Sequence, residues 1–196
     1  MTKLILASKS ASRRAMLDAA RVTYEAVPAD VDERAIEESL QNAASSEIAE
    51  ALSVAKAAEV ANSRPDGIVL GSDSLVVVEG TRFDKPTSRE NAREHLSFFS
   101  GKTIELHSAA ALVRDGGCIW SHMDCARLKV RELSPDFIEH YLEVEWPAIG
   151  YTVGCFRIEA MGVQLFESIE GDQFTVLGMP LLAVLGALRD EGVLLP

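Results

Sequence analysis

The chain has 196 residues, a formal net charge of −11 and 47% hydrophobic residues. This length can bury a substantial core, and we predict one domain spanning residues 1–196. The acidic charge argues against a nucleic-acid polymer or an anionic membrane surface as partner, because both require a basic surface.

The cysteines and the apolar runs bear on location. No apolar stretch is long enough to span a membrane, and the amino-terminal one is too short for a signal peptide. Three cysteines, without C-x-x-C spacing, are typical of free thiols in a reducing compartment, so we expect a cytoplasmic protein. Cys118, His122 and Cys125 could suggest zinc, but on a strand Cys118 and His122 would lie about 13 Å apart.

The amino-terminal stretch, residues 4–17, combines a short apolar strand with hydroxyls and cations at a helix start. Its polar residues are Ser8, Ser10, Ser12, Arg13 and Arg14. Backbone N–H groups at a helix start attract anions, and arginine adds bidentate donors. The pattern favours a phosphate site. The alternative is an N-cap serine followed by two solvated arginines.

The next stretch is acidic and then helical. A short strand over 23–27 leads into an acidic loop at 30–33, followed by helices over 34–40 and 47–61. Lys56 lies outside the apolar face of the second helix. By itself, this position predicts a solvated lysine.

Residues 68–78 begin with an apolar run over 68–70, which predicts a buried strand. The polar sequence Gly71-Ser72-Asp73-Ser74 follows, and after it we predict either a second strand or a continuation of the first. Asp is disfavoured within strands and is costly to bury unpaired. Asp73 is therefore a candidate metal ligand or general base. An Asx turn at a strand end is the alternative.

The remaining elements alternate between helix and strand. We predict a helix to residue 99 capped by Ser88, strands over 103–112 and 119–130, a helix over 135–145 capped by Ser134, a strand over 163–169 and a terminal helix over 181–189. This mixture indicates an α/β domain built around a mixed sheet.

Five motifs occur in one order along the chain. They are LILASKSASRR at the start, Gly71-Ser72-Asp73-Ser74, Lys85-Pro86, Ser100-Gly101-Lys102-Thr103 and Gly178-Met179-Pro180-Leu181. The ordered set closely resembles the Maf family of nucleotide pyrophosphatases, once described as septum-formation inhibitors. Each motif is weak alone, but together they cover nearly the whole chain.

The resemblance implies a Maf/Ham1 (ITPase-like) α/β fold, with a mixed twisted sheet, helices and two lobes around a cleft. It implies a Mg²⁺- or Mn²⁺-dependent enzyme that splits a nucleoside triphosphate into the monophosphate and pyrophosphate. Dimers are common among the relatives it suggests, which allows a homodimer.

The resemblance also assigns roles to residues. Asp73 would be the catalytic aspartate, and Glu33 would lie near the metal with it. The phosphate contacts would be Ser8, Ser10, Arg13, Arg14, Lys56 and Lys85. This assignment agrees with the chemistry, since such hydrolysis needs cations around the phosphates and one oriented water.

Three positions bear on the nucleobase. Glu159 stands where many relatives have glutamine, and a carboxylate accepts hydrogen bonds from the N–H groups of guanine. The extra residue before Arg13 and Glu159 together resemble the 7-methyl-GTP pyrophosphatase branch. Ser12, in place of an aromatic residue, and Ser74 depart from that branch, as do Asp84 and Ala160.

The leading hypothesis is therefore a nucleotide pyrophosphatase that removes modified triphosphates such as 7-methyl-GTP. The alternatives are a dTTP/UTP pyrophosphatase of the same family and a non-catalytic nucleotide-binding regulator of cell division.

Overall fold

The computed structural model describes residues 2–196. Its strands are β1 (Lys3–Leu6), β2 (Glu25–Ala26), β3 (Gly67–Val78), β4 (Thr81–Phe83), β5 (Thr103–Arg114), β6 (Gly117–Val130) and β7 (Phe166–Glu170). Its α-helices are α1 (Ala11–Ala19), α2 (Glu33–Ser39), α3 (Ser45–Ala61), α4 (Arg89–Phe99), α5 (Pro135–Glu145), α6 (Gln173–Val176) and α7 (Leu181–Asp190). Short 3-10 helices cover Ala148–Tyr151, Val153–Cys155 and Met161–Leu165.

The strands form one mixed sheet in the order β2-β1-β3-β5-β6-β7, with β4 paired to β3. Strand β1 runs parallel to both β2 and β3, whereas the β3–β4 and β6–β7 pairs are antiparallel. The predicted α/β class with a mixed sheet is confirmed. None of the helices within residues 2–196 is long and apolar enough to cross a bilayer.

Tertiary contacts divide the chain into two compact units. The first comprises residues 2–74, 107–124 and 172–196, and the second comprises residues 75–106 and 125–171. One domain spanning residues 1–196 stays a prediction.

In the first unit, β1 lies between β2 and β3 with helices on both faces. Met16 and Leu17 of α1 pack with Ile68 and Leu70 of β3 in one apolar cluster. Helix α3 covers the other face of the sheet, where its Ala57 and Val60 pack in one cluster with Val69 of β3. Alternate residues of β3 thus face different helices, as the two-residue period of a strand requires. After β1 the chain adds β2 on one side of β1 and then β3 on the other side. The strand order therefore reverses between β1 and β3, which makes this position the switch point of a doubly wound sheet.

Helix α3 lies unusually close to β3 at Gly71. A Cβ atom there would lie 2.0 Å from the Ser53 carbonyl oxygen and 2.8 Å from the Ala57 nitrogen. Only glycine allows this approach. The approach fixes the height of α3 over the strand that carries Asp73.

In the second unit, α4 packs against α5. Leu96 and Phe99 of α4 and Ile138 of α5 are buried. Arg93 of α4 forms an ion pair with Glu139 of α5, and this pairing lowers the pKa of Glu139 to about 2. Both helices begin at the predicted caps, since Ser88 and Ser134 accept hydrogen bonds from backbone N–H groups in the first turn.

Three local predictions need correction. The strand predicted over 163–169 begins only at Phe166, because residues 161–165 form a 3-10 helix in which Gly162 packs on the backbone of Arg157. The strand predicted over 23–27 is a two-residue strand. Asp73 lies inside the continuous strand β3, not in an Asx turn at a strand end.

Candidate active site

The site residues of the first unit gather beyond the carboxyl end of β1, beside the middle of the longer strand β3. Strand β1 ends at Leu6 opposite Leu70, and the N–H of Ala7 donates to the Leu70 carbonyl over 2.8 Å. Strand β3 continues for eight residues beyond Leu70, which sets Ser72, Asp73 and Ser74 beyond the end of β1. Ligands of doubly wound sheets bind at this position, outside the carboxyl ends of strands at the switch point.

Asp73, Lys56 and Glu33 form a connected ionic cluster. The Lys56 ammonium lies 2.5 Å from Asp73 Oδ1 and 2.9 Å from Glu33 Oε1. Asp73 is 7% exposed, the Lys56 side chain 13% and the Glu33 side chain 53%. The solvated lysine suggested by the helix pattern is therefore wrong, because Lys56 spans two carboxylates and is mostly buried.

The fold explains why Lys56 meets Asp73. Asp73 lies two residues beyond Gly71, so it shares the face of β3 that α3 covers. Lys56 immediately precedes Ala57, whose nitrogen is one of the atoms nearest to Gly71. The close approach of α3 thus brings the ammonium to the carboxylate.

The Arg13 guanidinium donates mainly to protein atoms. Nε donates to the Gly178 carbonyl (2.9 Å), Nη1 to the Ser72 carbonyl (2.8 Å) and the Ser8 hydroxyl (3.5 Å), and Nη2 to the Ser74 hydroxyl (3.0 Å). Burial lowers the pKa of Arg13, whereas the charges of Asp73 and Glu33 raise it. Four of its five N–H donors are engaged. Arg13 therefore ties α1 to β3 and to the loop before α7.

The other polar residues of the amino-terminal loop have simpler surroundings. Ser10 is the N-cap of α1 and accepts from the Arg13 N–H over 3.4 Å, while Ser8 accepts from the Ser10 N–H over 3.1 Å. Arg14 is exposed. The alternative of an N-cap serine followed by two solvated arginines thus holds for Ser10 and Arg14 but not for Arg13, which donates to protein atoms. An N-cap serine does not prevent a helix start from binding phosphate.

The loop at Leu177 and Gly178 is a part of the site that the sequence did not predict. Ser12 donates to the Leu177 carbonyl over 2.7 Å, and Ser72 and Ser74 lie 3.3 and 3.0 Å from the Gly178 carbonyl. Gly178 has φ +99°, a conformation that glycine accepts readily. The motif Gly178-Met179-Pro180 was visible in the sequence, but nothing in it indicated that its carbonyl would accept from Arg13.

A buried hydrogen-bond chain continues from this loop. The hydroxyls of Ser74 and Ser108 lie 3.0 Å apart, and Ser108 donates to the Thr175 carbonyl over 2.9 Å. Ser108 is fully buried on β5. Its alternation with apolar residues gave no sign of this role, which depends on strand pairing.

Lys85 and Glu159 belong to the second unit. Lys85 is exposed after β4, and Glu159 is exposed in the turn between two 3-10 helices. Their roles toward phosphate and base stay predictions.

A cavity of about 230 Å³ also lies in the second unit, between α4 and α5. Arg93, Glu139 and Ile138 line it. The two charged side chains neutralise each other, and none of the predicted site residues takes part, so we assign the cavity no role.

The profile of the family described as Maf-like protein matches residues 3–191. The chain belongs to the Maf family. The resemblance inferred from the ordered motifs is thereby confirmed.

Curated relatives match over nearly their whole length. A 7-methyl-GTP pyrophosphatase of Mesorhizobium japonicum is 47% identical over 98% of both chains. A nucleoside triphosphate pyrophosphatase of Granulibacter bethesdensis is 43% identical over 98% of both chains. Among solved structures, a HAM1 protein from Coxiella burnetii covers 66% of this chain and 73% of its own, with 14% identity and a TM-score of 0.44.

Proposed function

We propose that this Maf protein hydrolyses nucleoside triphosphates to the monophosphate and pyrophosphate. The observation that carries the proposal is the Asp73–Lys56–Glu33 cluster at the switch point of the sheet, beside the serine-rich loop of α1. The names of the curated relatives, with their high coverage, support the same reaction.

The cluster suits this chemistry. Splitting the bond between the α- and β-phosphates requires cations on several oxygens and a water placed in line. Lys56 supplies a cation next to Asp73, and Asp73 accepts the proton of the water or helps to orient it. Both side chains lie on rigid elements, α3 and β3, which suits a preorganised site.

The carboxylates also suit a divalent metal ion. Asp73 and Glu33 each place an oxygen against the same ammonium, at 2.5 and 2.9 Å, so they lie close to each other. Mg²⁺ is usually held by one or two carboxylates together with substrate phosphates. Asp73 and Glu33 would hold Mg²⁺ or Mn²⁺ here. The ion would neutralise phosphate charge and make its bound water more acidic.

The phosphate contacts fall into two groups. We assign direct contact to Ser8, Ser10, Arg14, Lys56 and Lys85. Arg13 acts mainly by holding the loop, because most of its donors already have acceptors within the protein. One N–H of its Nη2 group remains for a phosphate oxygen.

For the base, we propose a preference for 7-methyl-GTP over dTTP and UTP. Glu159 offers an acceptor to the N–H groups of guanine, and its negative charge favours the positively charged methylated ring. Ser12 and Ser74 influence the preference through the Leu177–Gly178 loop that their hydroxyls contact. A cytoplasmic location and a homodimer stay predictions.

A triphosphate panel tests the proposal. The purified protein is incubated with 7-methyl-GTP, GTP, dTTP, UTP and ATP in the presence of Mg²⁺ or Mn²⁺, and both phosphate products are measured. We expect pyrophosphate and the monophosphate, with 7-methyl-GTP the best substrate. Release of orthophosphate, or no turnover of any nucleotide, would overturn the proposal. Binding without turnover would instead favour the regulator.

A further inference from the structure

Helix α5 carries a buried carboxylate, Glu145, that is not among the predicted site residues. Glu145 is 3% exposed. Its Oε2 accepts from Arg157 Nε over 2.9 Å, and its Oε1 accepts from the Met161 N–H over 3.1 Å. Both oxygens are thus engaged by the segment that follows α5.

Tyr141 lies one helical turn earlier and holds the other end of the same segment. Its hydroxyl donates to the Cys155 carbonyl over 3.0 Å, and the residue is fully buried. Gly154 and Cys155 have φ values of +79° and +57°, a turn that needs support because a cysteine rarely adopts it. Two side chains of one helix thus fix residues 155–161, the segment that carries Glu159.

Charge adds a second effect. Arg157 lies near two carboxylates, and its pKa is raised chiefly by the hydrogen bond to Glu145 and less by the charge of Glu159. A guanidinium not engaged by Glu145 would be free to pair with Glu159 and neutralise it. Glu159 is exposed. Because Arg157 is hydrogen-bonded to Glu145, it does not pair with Glu159, and the carboxylate of Glu159 can still accept hydrogen bonds.

We infer that Glu145 is a positioning residue for base selection. It fixes the segment 155–161 and engages Arg157, so that Glu159 presents a free carboxylate to a base edge rich in N–H donors, as in a guanine-type purine. Tyr141 supports the same segment. The inference rests on the proposed function, in which Glu159 contacts the base.

The test is Glu145→Gln, which keeps the size of the side chain but turns an NH₂ group toward one of the two donors. The measured quantity is the ratio of kcat/KM for 7-methyl-GTP to that for UTP. We expect this ratio to fall about tenfold, with kcat for UTP unchanged. The control is Glu143→Gln, an exposed carboxylate on the same helix, which should leave the ratio unchanged.

Repeating the Glu145→Gln substitution in the Glu159→Gln variant shows whether Glu145 acts through Glu159. Glu159→Gln alone should lower the ratio, and adding Glu145→Gln to it should change the ratio no further. An equal drop in both backgrounds, or an equal loss of turnover for both nucleotides in Glu145→Gln, overturns the inference. Tyr141→Phe removes one hydroxyl, and we expect a smaller drop in the same direction. An unchanged ratio in this variant removes Tyr141 from the inference.

The outcomes distinguish failure of the inference from failure of the proposed function. If the unmodified protein releases pyrophosphate but Glu159→Gln leaves the ratio unchanged, the inference and the base role of Glu159 are overturned, whereas the proposed hydrolysis stands. If the unmodified protein releases no pyrophosphate from either nucleotide, the proposed function itself fails. Thermal unfolding of every variant confirms that the kinetics describe folded protein.

Discussion

Two buried carboxylates of this protein, Asp73 in the first unit and Glu145 in the second, are each paired with a cation but differ in how many of their oxygens are engaged. Asp73 accepts through Oδ1 from Lys56, which it shares with Glu33, and Oδ2 has no hydrogen-bond partner among residues 2–196. Glu145 has one oxygen on Arg157 and the other on a backbone N–H.

The difference separates a reactive role from a structural one. A carboxylate with both oxygens satisfied is costly to disturb, because any new ligand must first displace an existing bond. A carboxylate with a free oxygen, held by a flexible lysine, can take up a proton, a water or a metal ion. Asp73 is thus suited to chemistry and Glu145 to holding a loop.

The strongest test of this comparison is Asp73→Asn. The amide keeps the shape but loses the charge and the capacity to accept a proton, so we expect kcat to fall by about 10²–10⁴-fold. Pyrophosphate release gives the rate, and calorimetric titration gives nucleotide affinity, which should change little. Normal turnover by this variant would mean that Asp73 is not the base.

Lys56→Met removes the cation that joins Asp73 to Glu33. The two carboxylates then repel each other and a phosphate oxygen loses a partner, so we expect kcat/KM to fall about 100-fold. Steady-state kinetics on the best triphosphate measure this loss. A value within twofold of the unmodified protein would show that the ion pair is only structural.

Gly71→Ala tests whether the spacing of α3 controls the reactive cluster. The new Cβ would clash with the Ser53 carbonyl, since the two would lie 2.0 Å apart. We expect a loss of about 3 kcal/mol in the free energy of unfolding, and a lower kcat as Lys56 moves. Gly186→Ala is the matched control, because nothing lies within 4 Å of its Cβ position on α7. It should be neutral or slightly stabilising.

Glu145→Ala tests the structural member of the pair. The truncation leaves a backbone N–H and a guanidinium without their acceptor, and we expect the free energy of unfolding to fall by about 2 kcal/mol. Chemical denaturation measures the loss. Glu143→Ala, at an exposed position on the same helix, should change it by less than about 0.5 kcal/mol. Equal effects of the two variants would remove the distinction between them.

The smallest expected effect concerns the thiol of Cys155, the first residue of the segment that Glu145 holds. Burial raises the pKa of Cys155 from its ordinary value of 9.0 to about 12. At pH 8 the thiol is therefore neutral, and we expect Cys155 to resist alkylation while the exposed Cys118 reacts. Mass spectrometry of labelled peptides gives the order. Equal labelling would show that the segment opens in solution.

Much of the fold was accessible from the sequence because local signals were strong. Ser88 and Ser134 cap the helices that they were predicted to cap. Strand β1 contains the predicted apolar run 4–6, and α7 begins at the predicted position after Pro180. The strand predicted over 163–169 failed in its first half because Gly162 packs on the Arg157 backbone, a contact that no period in the sequence reports.

The site was only partly accessible. The resemblance brought Lys56 into it although the helix pattern indicated a solvated lysine. The role of Arg13 as a donor to the Ser72 and Gly178 carbonyls had no signal, since those acceptors lie 59 and 165 residues away.

The sequence by itself determined the family, the α/β class and the residue types available for phosphate chemistry, because these depend on composition, order and local pattern. Only the tertiary structure decided which charges meet. The approach of α3 to β3 at Gly71 pairs Lys56 with Asp73. The packing of α5 lets Glu145 form an ion pair with Arg157. Such pairings depend on how separate helices, strands and turns pack in space, and burial then makes each of them costly to break.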